Sequence, residues 1–155
     1  MENATAIYDL AQKVAHKHGE RHPELFKITE VAFLFFHDLL NHLKKEEHIL
    51  FPNIKQLLQH RNCKEIMSYT TFSLIREMVT LMKKAHLTAG KDLKMFYKLT
   101  RGYMLPADAG SSYKYLCKRM NEFENYMVSF ITLENNILFP KTLLLVEELQ
   151  ENEKV

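Results

Sequence analysis

The sequence predicts an all-α protein, and three observations lead to that class. Only 4 of the 155 residues are Gly and 4 are Pro, so few positions interrupt a helix. Four apolar stripes advance in steps of three and four residues, which is the period of an amphipathic helix. One motif recurs 88 residues later, a spacing that suits two related helical hairpins. We therefore expect an antiparallel four-helix bundle.

The four stripes place the helices near residues 4–18, 27–60, 69–101 and 111–138. Gly19 ends the first helix, because a glycine after the last apolar residue is a common stop signal. A break or kink is expected at Pro52, whose ring removes a backbone donor. We interpret residues 1–155 as one domain, because no low-complexity linker divides them, and the acidic segment after Pro140 as a frayed helix end.

The composition excludes several classes of partner. A net charge of +2, from 21 basic and 19 acidic residues, gives no reason to expect nucleic acid or a charged membrane surface. No apolar run approaches the roughly 18 residues of a membrane span, and the N-terminus lacks an apolar signal core. Cys63 and Cys117 lack metal-type spacing, so we expect reduced thiols and a cytoplasmic location.

The repeated motif covers residues 42–52 and 130–140. Each copy places a glutamate three residues before the shared tetrapeptide Ile-Leu-Phe-Pro, and these glutamates are Glu46 and Glu134. Because the motif lies on equivalent helices of the two hairpins, the two carboxylates are expected at one level of the bundle, less than about two helical turns apart, or roughly 11 Å.

Four ionisable residues interrupt the apolar stripes and are therefore expected to point into the core: His42, Glu46, His86 and Glu134. Buried carboxylates are unfavourable unless they are paired, neutralised or bound to a cation. Imidazole and carboxylate together suit iron, manganese or zinc, and facing helices of bundles often hold such sites. A metal site is one interpretation of the four residues, and a buried polar network without metal is the other.

Several short stretches resemble the hemerythrin-like (HHE) repair-of-iron-centres family, whose members bind two irons and mend iron–sulfur clusters after nitrosative or oxidative damage. The matching stretches are residues 12–15, 18–19, 22–25, 42–52, 89–90, 99–100, 106–109 and 133–140. The resemblance implies a hemerythrin-like bundle that binds non-haem iron, with His42, Glu46, His86 and Glu134 as metal ligands.

Two ligands of the family pattern are missing from this chain. The helix D histidine falls on Phe130, with Thr132 changed beside it, and the helix A histidine would lie just before Met1. The cysteine that usually follows the Pro-Ala-Asp-Ala stretch is Gly110, and the cysteine-bearing N-terminal domain of longer relatives is expected to be absent. The resemblance thus implies one or two irons, with a reduced ligand set.

Three functions remain open from the sequence. The first is an iron-binding stress protein of the cluster-repair type, whose partner is a damaged iron–sulfur protein. The second is a metal-poor bundle that acts by contact with a complete relative. The third is an O2 or NO sensor, which would use the same ligands as the first. Whether the chain is an enzyme is left undecided by these residues.

Overall fold

A computed structural model describes residues 2–63 and 69–152, and all regular structure in these ranges is helical. The elements are α1 (Glu2–His18), α2 (Glu24–Lys45), π1 (Glu46–Leu50), α3 (Phe51–Cys63), α4 (Tyr69–Leu99), α5 (Ser111–Leu133), π2 (Glu134–Leu138) and α6 (Phe139–Asn152). Since π1 joins α2 to α3 and π2 joins α5 to α6, the described chain has four continuous helical arms. The prediction of an all-α four-helix bundle is confirmed.

Most predicted helix bounds are correct to within a few residues, but the end of the fourth is wrong. That arm continues beyond residue 138 through α6 to Asn152. The acidic residues of this segment suggested fraying, yet Leu145, Val146 and Leu149 are buried on its other face. Packing of the apolar stripe into the core stabilises this helix, and that stabilisation outweighs the unfavourable effect of the surface charges.

The described residues divide into two compact units. Unit 1 comprises the residues up to Leu40 together with Leu87–Ser129, and its core takes side chains from α1, α2, α4 and α5. Three aromatic rings are packed edge to face in this core. The ring centre of Phe123 lies 5.9 Å from that of Phe35 and 5.2 Å from that of Phe36. Gly19 ends α1 as expected, and a side chain there would overlap the Ala15 carbonyl and the Phe26 ring.

Unit 2 comprises Asn41–His86 and the described residues from Phe130 onward. Its core is built by the end of π1, by α3, by the first half of α4 and by α6. The buried side chains are Leu50, Leu57, Phe72, Ile75, Met78, Val79, Met82, Phe139, Leu145, Val146 and Leu149. All four predicted ligands belong to this unit. The prediction of a single domain over residues 1–155 stays a prediction.

The irregularity expected at Pro52 takes the form of π1, the wide helical turn before it. In α register the nitrogen of Pro52 would have to donate to the His48 carbonyl, which proline cannot do. The chain instead pairs the Phe51 N–H with the Glu46 carbonyl, and the Asn53 side chain donates to the Ile49 carbonyl at 2.7 Å. The second motif repeats the device, because π2 precedes Pro140 in the same way.

Within the described ranges, no helix has the length and apolar character needed to cross a membrane. The expected cytoplasmic location stays a prediction.

Candidate metal centre

The structure brings the four predicted ligands together. His42, Glu46, His86 and Glu134 are all buried, and each offers one donor atom such that the four atoms lie within 4.8 Å of one another. The prediction that they form one cluster is confirmed, and the two carboxylates are well inside the 11 Å set for them. Among the described residues this is the one such cluster of histidine, cysteine and acidic side chains.

Helix geometry explains the position of each donor. His42 lies in the last turn of α2, and Glu46 follows it by four residues, so both side chains share one face. His86 projects from α4, and Glu134 begins π2. Each glutamate is therefore the first residue of a π-turn, an irregularity that often occurs at functional sites.

The donor atoms form a close array of two nitrogens and two oxygens. The Nε2 atom of His42 lies 3.0 Å from Oε1 of Glu46, and Nε2 of His86 lies 3.1 Å from Oε2 of Glu134. The two Nε2 atoms are 3.2 Å apart, although two lone pairs cannot face each other without a shared proton or a cation. The array thus concentrates electron pairs at one point.

A hydrogen bond from outside the array orients His86. Its Nδ1 atom lies 3.0 Å from Oδ1 of Asn135, and the ring stacks on Phe139 with 5.6 Å between ring centres. Since the Asn135 oxygen only accepts, Nδ1 carries the proton, and a neutral His86 has its lone pair on Nε2. That lone pair faces the cluster, as a metal ligand requires.

The cluster is poorly satisfied by the protein alone. Both oxygens of Glu46 and Nδ1 of His42 are buried, and none has a hydrogen-bond partner of good geometry. Glu46 lies within ion-pair distance of His42, but the two groups do not have the geometry of a hydrogen bond. Buried unsatisfied oxygens cost free energy, and a bound cation removes that cost.

The pKa values of His86 and Glu134 are both raised. Burial acts to lower the pKa of His86, but its contacts with Glu134 and Asn135 outweigh burial, and the net pKa is raised. Burial raises the pKa of the Glu134 carboxyl, and the nearby Glu46 raises it further against the opposing effect of His86. Binding of a metal ion to these two residues would therefore compete with their protonation.

Comparison with known proteins agrees with this chemistry. Residues 2–142 match the model of the hemerythrin HHE cation binding domain. The chain belongs to the hemerythrin HHE family. The hemerythrin-like fold predicted from the sequence is thereby confirmed.

Curated relatives in this family carry repair names. The chain is 33% identical over 142 residues to a probable iron–sulfur cluster repair protein of Haemophilus influenzae. The match covers 92% of this chain and 58% of the relative. It is 29% identical over 134 residues to the iron–sulfur cluster repair protein YtfE of Pectobacterium carotovorum. That match covers 86% of this chain and 55% of the relative. The YtfE protein of Escherichia coli O81 is also 29% identical. The chain spans a little over half the length of these relatives.

The residues present fit a single cation of the kind this HHE family binds. Metal–nitrogen and metal–oxygen distances near 2.1 Å place any two ligands of one ion at most about 4.2 Å apart. A cluster within 4.8 Å therefore needs only a small contraction to surround one ion. Two imidazoles and two carboxylates fill four positions, so an octahedral ion would keep two for exogenous ligands.

The departures from the HHE pattern are visible beside this cluster. Phe130, which stands where the repeat predicts a ligand, is half-buried in a groove that Glu134 also lines, and Thr132 is exposed. Sequence reasoning missed Asn135 as the partner of His86. Its signal was its place directly after the repeated glutamate, where the first motif has the exposed Glu47.

Proposed function

We propose that this chain binds one non-haem iron through His42, Glu46, His86 and Glu134 and acts in the repair of iron–sulfur clusters. The observation that carries the proposal is the buried array of four donor atoms within 4.8 Å. The hemerythrin HHE match and the names of the curated relatives support iron as the cation and cluster repair as the process.

The protein residues divide the work at this site. His42 and His86 supply the nitrogen ligands, and Asn135 holds His86 in the tautomer that directs Nε2 at the ion. Glu46 and Glu134 supply two negative charges, which neutralise a ferrous ion inside an apolar core. When bound, the iron supplies one-electron redox chemistry and Lewis acidity.

The substrate of such a protein would be a second protein that carries a damaged iron–sulfur cluster. A direct test starts with an iron–sulfur dehydratase damaged by nitric oxide or peroxide under anaerobic conditions. Addition of the iron-loaded chain should restore the cluster absorbance and the dehydratase activity. The Glu134→Ala variant, treated with the same iron, should restore neither above the level reached by free ferrous iron. Equal recovery with both proteins would contradict the proposal.

The interaction hypothesis also has an observation in its favour. Phe130 stands in place of one family ligand and helps to line an apolar groove, so part of unit 2 has the chemistry of a contact surface.

A further inference from the structure

Three cationic side chains near the end of α4 form no ion pair within the part of the chain that the structure describes. Lys94 and Lys98 are exposed and lie four residues apart on α4, so they share one face of the helix. The exposed Arg101 lies two residues beyond the helix end. By contrast, Lys118 of the same unit lies 3.9 Å from Glu122. The end of α4 therefore carries positive charge that no described carboxylate neutralises by direct pairing.

The turn that follows α4 has an unusual backbone. Arg101, Gly102 and Tyr103 have φ angles of 50°, 71° and 61°, although only glycine adopts such left-handed angles readily. The Tyr103 N–H donates to the Thr100 hydroxyl at 3.1 Å, and the Tyr103 hydroxyl donates to the Glu124 carboxylate on α5. Backbone of this kind persists where surrounding contacts fix it, and it is concentrated at functional sites.

The fixed turn presents apolar side chains beside the cations. Met104 and Leu105 follow it directly and are 69% and 45% exposed. The ring of Tyr97, itself 57% exposed, lies 6.1 Å from the ring of Tyr103. A side chain at Gly102 would come within 3.1 Å of the Tyr97 hydroxyl, so this ring covers the turn. We call the following residues the α4 patch: Lys94, Tyr97, Lys98, Arg101, Met104 and Leu105.

We propose that the α4 patch binds an acidic surface of the iron–sulfur protein that this chain repairs. The identity of the partner rests on the repair function proposed above. Tyrosine, methionine and arginine are enriched in protein interfaces, and unpaired cations attract and orient an acidic partner. Because hydrogen bonds already fix the turn, binding would order little additional backbone.

The α4 patch suits a protein partner better than a lipid surface. Met104 and Leu105 are its two exposed aliphatic side chains, which offer little apolar area for insertion into a bilayer. A net charge of +2 gives little general attraction to an anionic membrane, whereas a protein surface can match three individually placed cations. Charge complementarity therefore favours the acidic protein.

The α4 patch shares no residue with the proposed iron site. All six patch residues belong to unit 1, and all four proposed ligands belong to unit 2. Variants of the patch should therefore keep the iron content of the unmodified chain. Binding of the partner can also be measured with metal-free protein, so the docking proposal and the repair function can fail separately.

The probe is an iron–sulfur dehydratase of net negative charge whose cluster has been damaged by nitric oxide. With the dehydratase immobilised, bio-layer interferometry should show saturable binding of the metal-free chain, which weakens as salt increases. Lys94→Glu combined with Lys98→Glu should weaken binding at least about tenfold, because two like charges then face the acidic surface. Met104→Ser should weaken it about three- to tenfold, on the scale of a truncated interface residue.

Two matched controls separate the α4 patch from general effects of charge and apolar exposure. Lys13→Glu combined with Lys17→Glu makes the same change in net charge, at two exposed positions four residues apart on α1 of unit 1. Leu87→Ser removes an apolar side chain that is 70% exposed in the same unit. Both controls should leave the affinity for the dehydratase unchanged.

Repair assays with iron-loaded protein distinguish docking from chemistry. The patch variants should keep the repair rate at saturating dehydratase, while the half-saturating concentration rises by the factor lost in affinity. Patch-dependent binding without repair by the unmodified chain would contradict the repair function and still support the docking surface.

Three results would overturn the docking proposal. The first is absence of binding at about 100 μM chain. The second is equal affinity of the patch variants and the controls, whether or not the chain repairs the cluster. The third is binding to phosphatidylglycerol vesicles that the patch variants abolish, without binding to the dehydratase, which would assign the α4 patch to a membrane surface.

Discussion

Glu46 and Glu134 lie 88 residues apart, yet each is buried and each begins a π-turn whose last hydrogen bond comes from the phenylalanine five residues later. Both turns are followed by a proline that cannot donate in α register. The repeated Phe-Pro pair thus has a structural purpose. It stabilises a wide turn at the residue that faces the cluster, and it does so once in each half of the chain.

Replacement of Glu46 by leucine should stabilise the metal-free protein while removing its response to metal. Glu46 is completely buried, and its oxygens lack directed hydrogen bonds, so an apolar side chain of similar volume removes a desolvation cost. We expect the free energy of unfolding in chelator to rise by about 1–3 kcal/mol. Urea unfolding with and without ferrous iron, under anaerobic conditions, measures both effects.

The neighbouring Glu47 supplies the control for that experiment. It is exposed, so Glu47→Leu should change neither the metal-free stability by more than about 0.5 kcal/mol nor the stabilisation by iron. A loss of the iron response in the Glu47 variant would show that the metal lies outside the proposed cluster.

Removal of the Asn135 side-chain oxygen should weaken metal binding without removing any ligand. In Asn135→Leu, His86 loses the acceptor that fixes its tautomer, and the metal affinity should fall about 10- to 100-fold. Asn135→Asp keeps an acceptor at the same place and should retain most of the affinity. Asn136 is exposed, and Asn136→Leu is the matched control. Competition with a chromophoric chelator gives the affinities, and equal values for all four proteins would be inconsistent with this role.

Phe130→His should add a ligand. Phe130 precedes Glu134 by four residues, as His42 precedes Glu46, and it lines the groove beside the cluster. Because Phe130 is only half-buried, the cost in metal-free stability should stay near 1 kcal/mol, below the cost of a fully buried aromatic truncation. Thermal melting should show a larger stabilisation by iron than in the unmodified chain.

Leu133→His controls for the mere presence of another imidazole near the groove. Leu133 is 56% exposed and lies next to Glu134 in sequence, so it lacks the four-residue spacing. Iron should stabilise this variant no more than the unmodified chain. If iron stabilises the two histidine variants equally, the prediction from the repeat that position 130 faces the metal is wrong.

Alkaline pH should destabilise the protein through buried acids of unit 1. Burial raises the pKa of the Cys117 thiol from 9.0 to about 11, and it also raises the pKa of Tyr103 and Tyr113. The folded state holds these protons more tightly than the unfolded chain does. The contribution of Cys117 is therefore complete below pH 9 and is lost between pH 9 and 11, by at most about 3 kcal/mol.

Comparison with Cys117→Ala isolates the thiol. The variant should be less stable near pH 7, because a buried side chain has been shortened, but its stability should fall less between pH 9 and 11. Parallel decline of the two proteins over that interval would assign the loss to other groups. Denaturant unfolding at each pH provides the measurement.

The sequence was informative wherever period and repetition coincide. The apolar stripes predict the helices, and polar residues inside those stripes predict that His42 and His86 point into the core. The repeat paired Glu46 with Glu134 for the same reason. These features are local or periodic, so they can be read from one chain.

Other features depend on packing between segments distant in sequence. The acidic residues of α6 suggest an exposed segment, although an apolar stripe lies among them. That stripe is recognised only when the residues that pack with Leu145 and Val146 in unit 2 are known. The role of Asn135 required knowing which ring comes to lie beside it, 49 residues away in the chain. The groove that Phe130 lines could not be predicted, because its leucines occupy ordinary helix positions and only the burial of each side chain distinguishes them.

In the proposed site, four residues hold one iron ion. Protein produced in iron-fed cells and purified anaerobically should contain about one iron per chain by elemental analysis, because the donor atoms surround a single point. His86→Ala and Glu134→Ala should each reduce that content by most of its value, whereas His48→Ala, at an exposed position two residues from Glu46, should not. Iron that is absent from the unmodified chain, or equally present in all four proteins, would contradict the account.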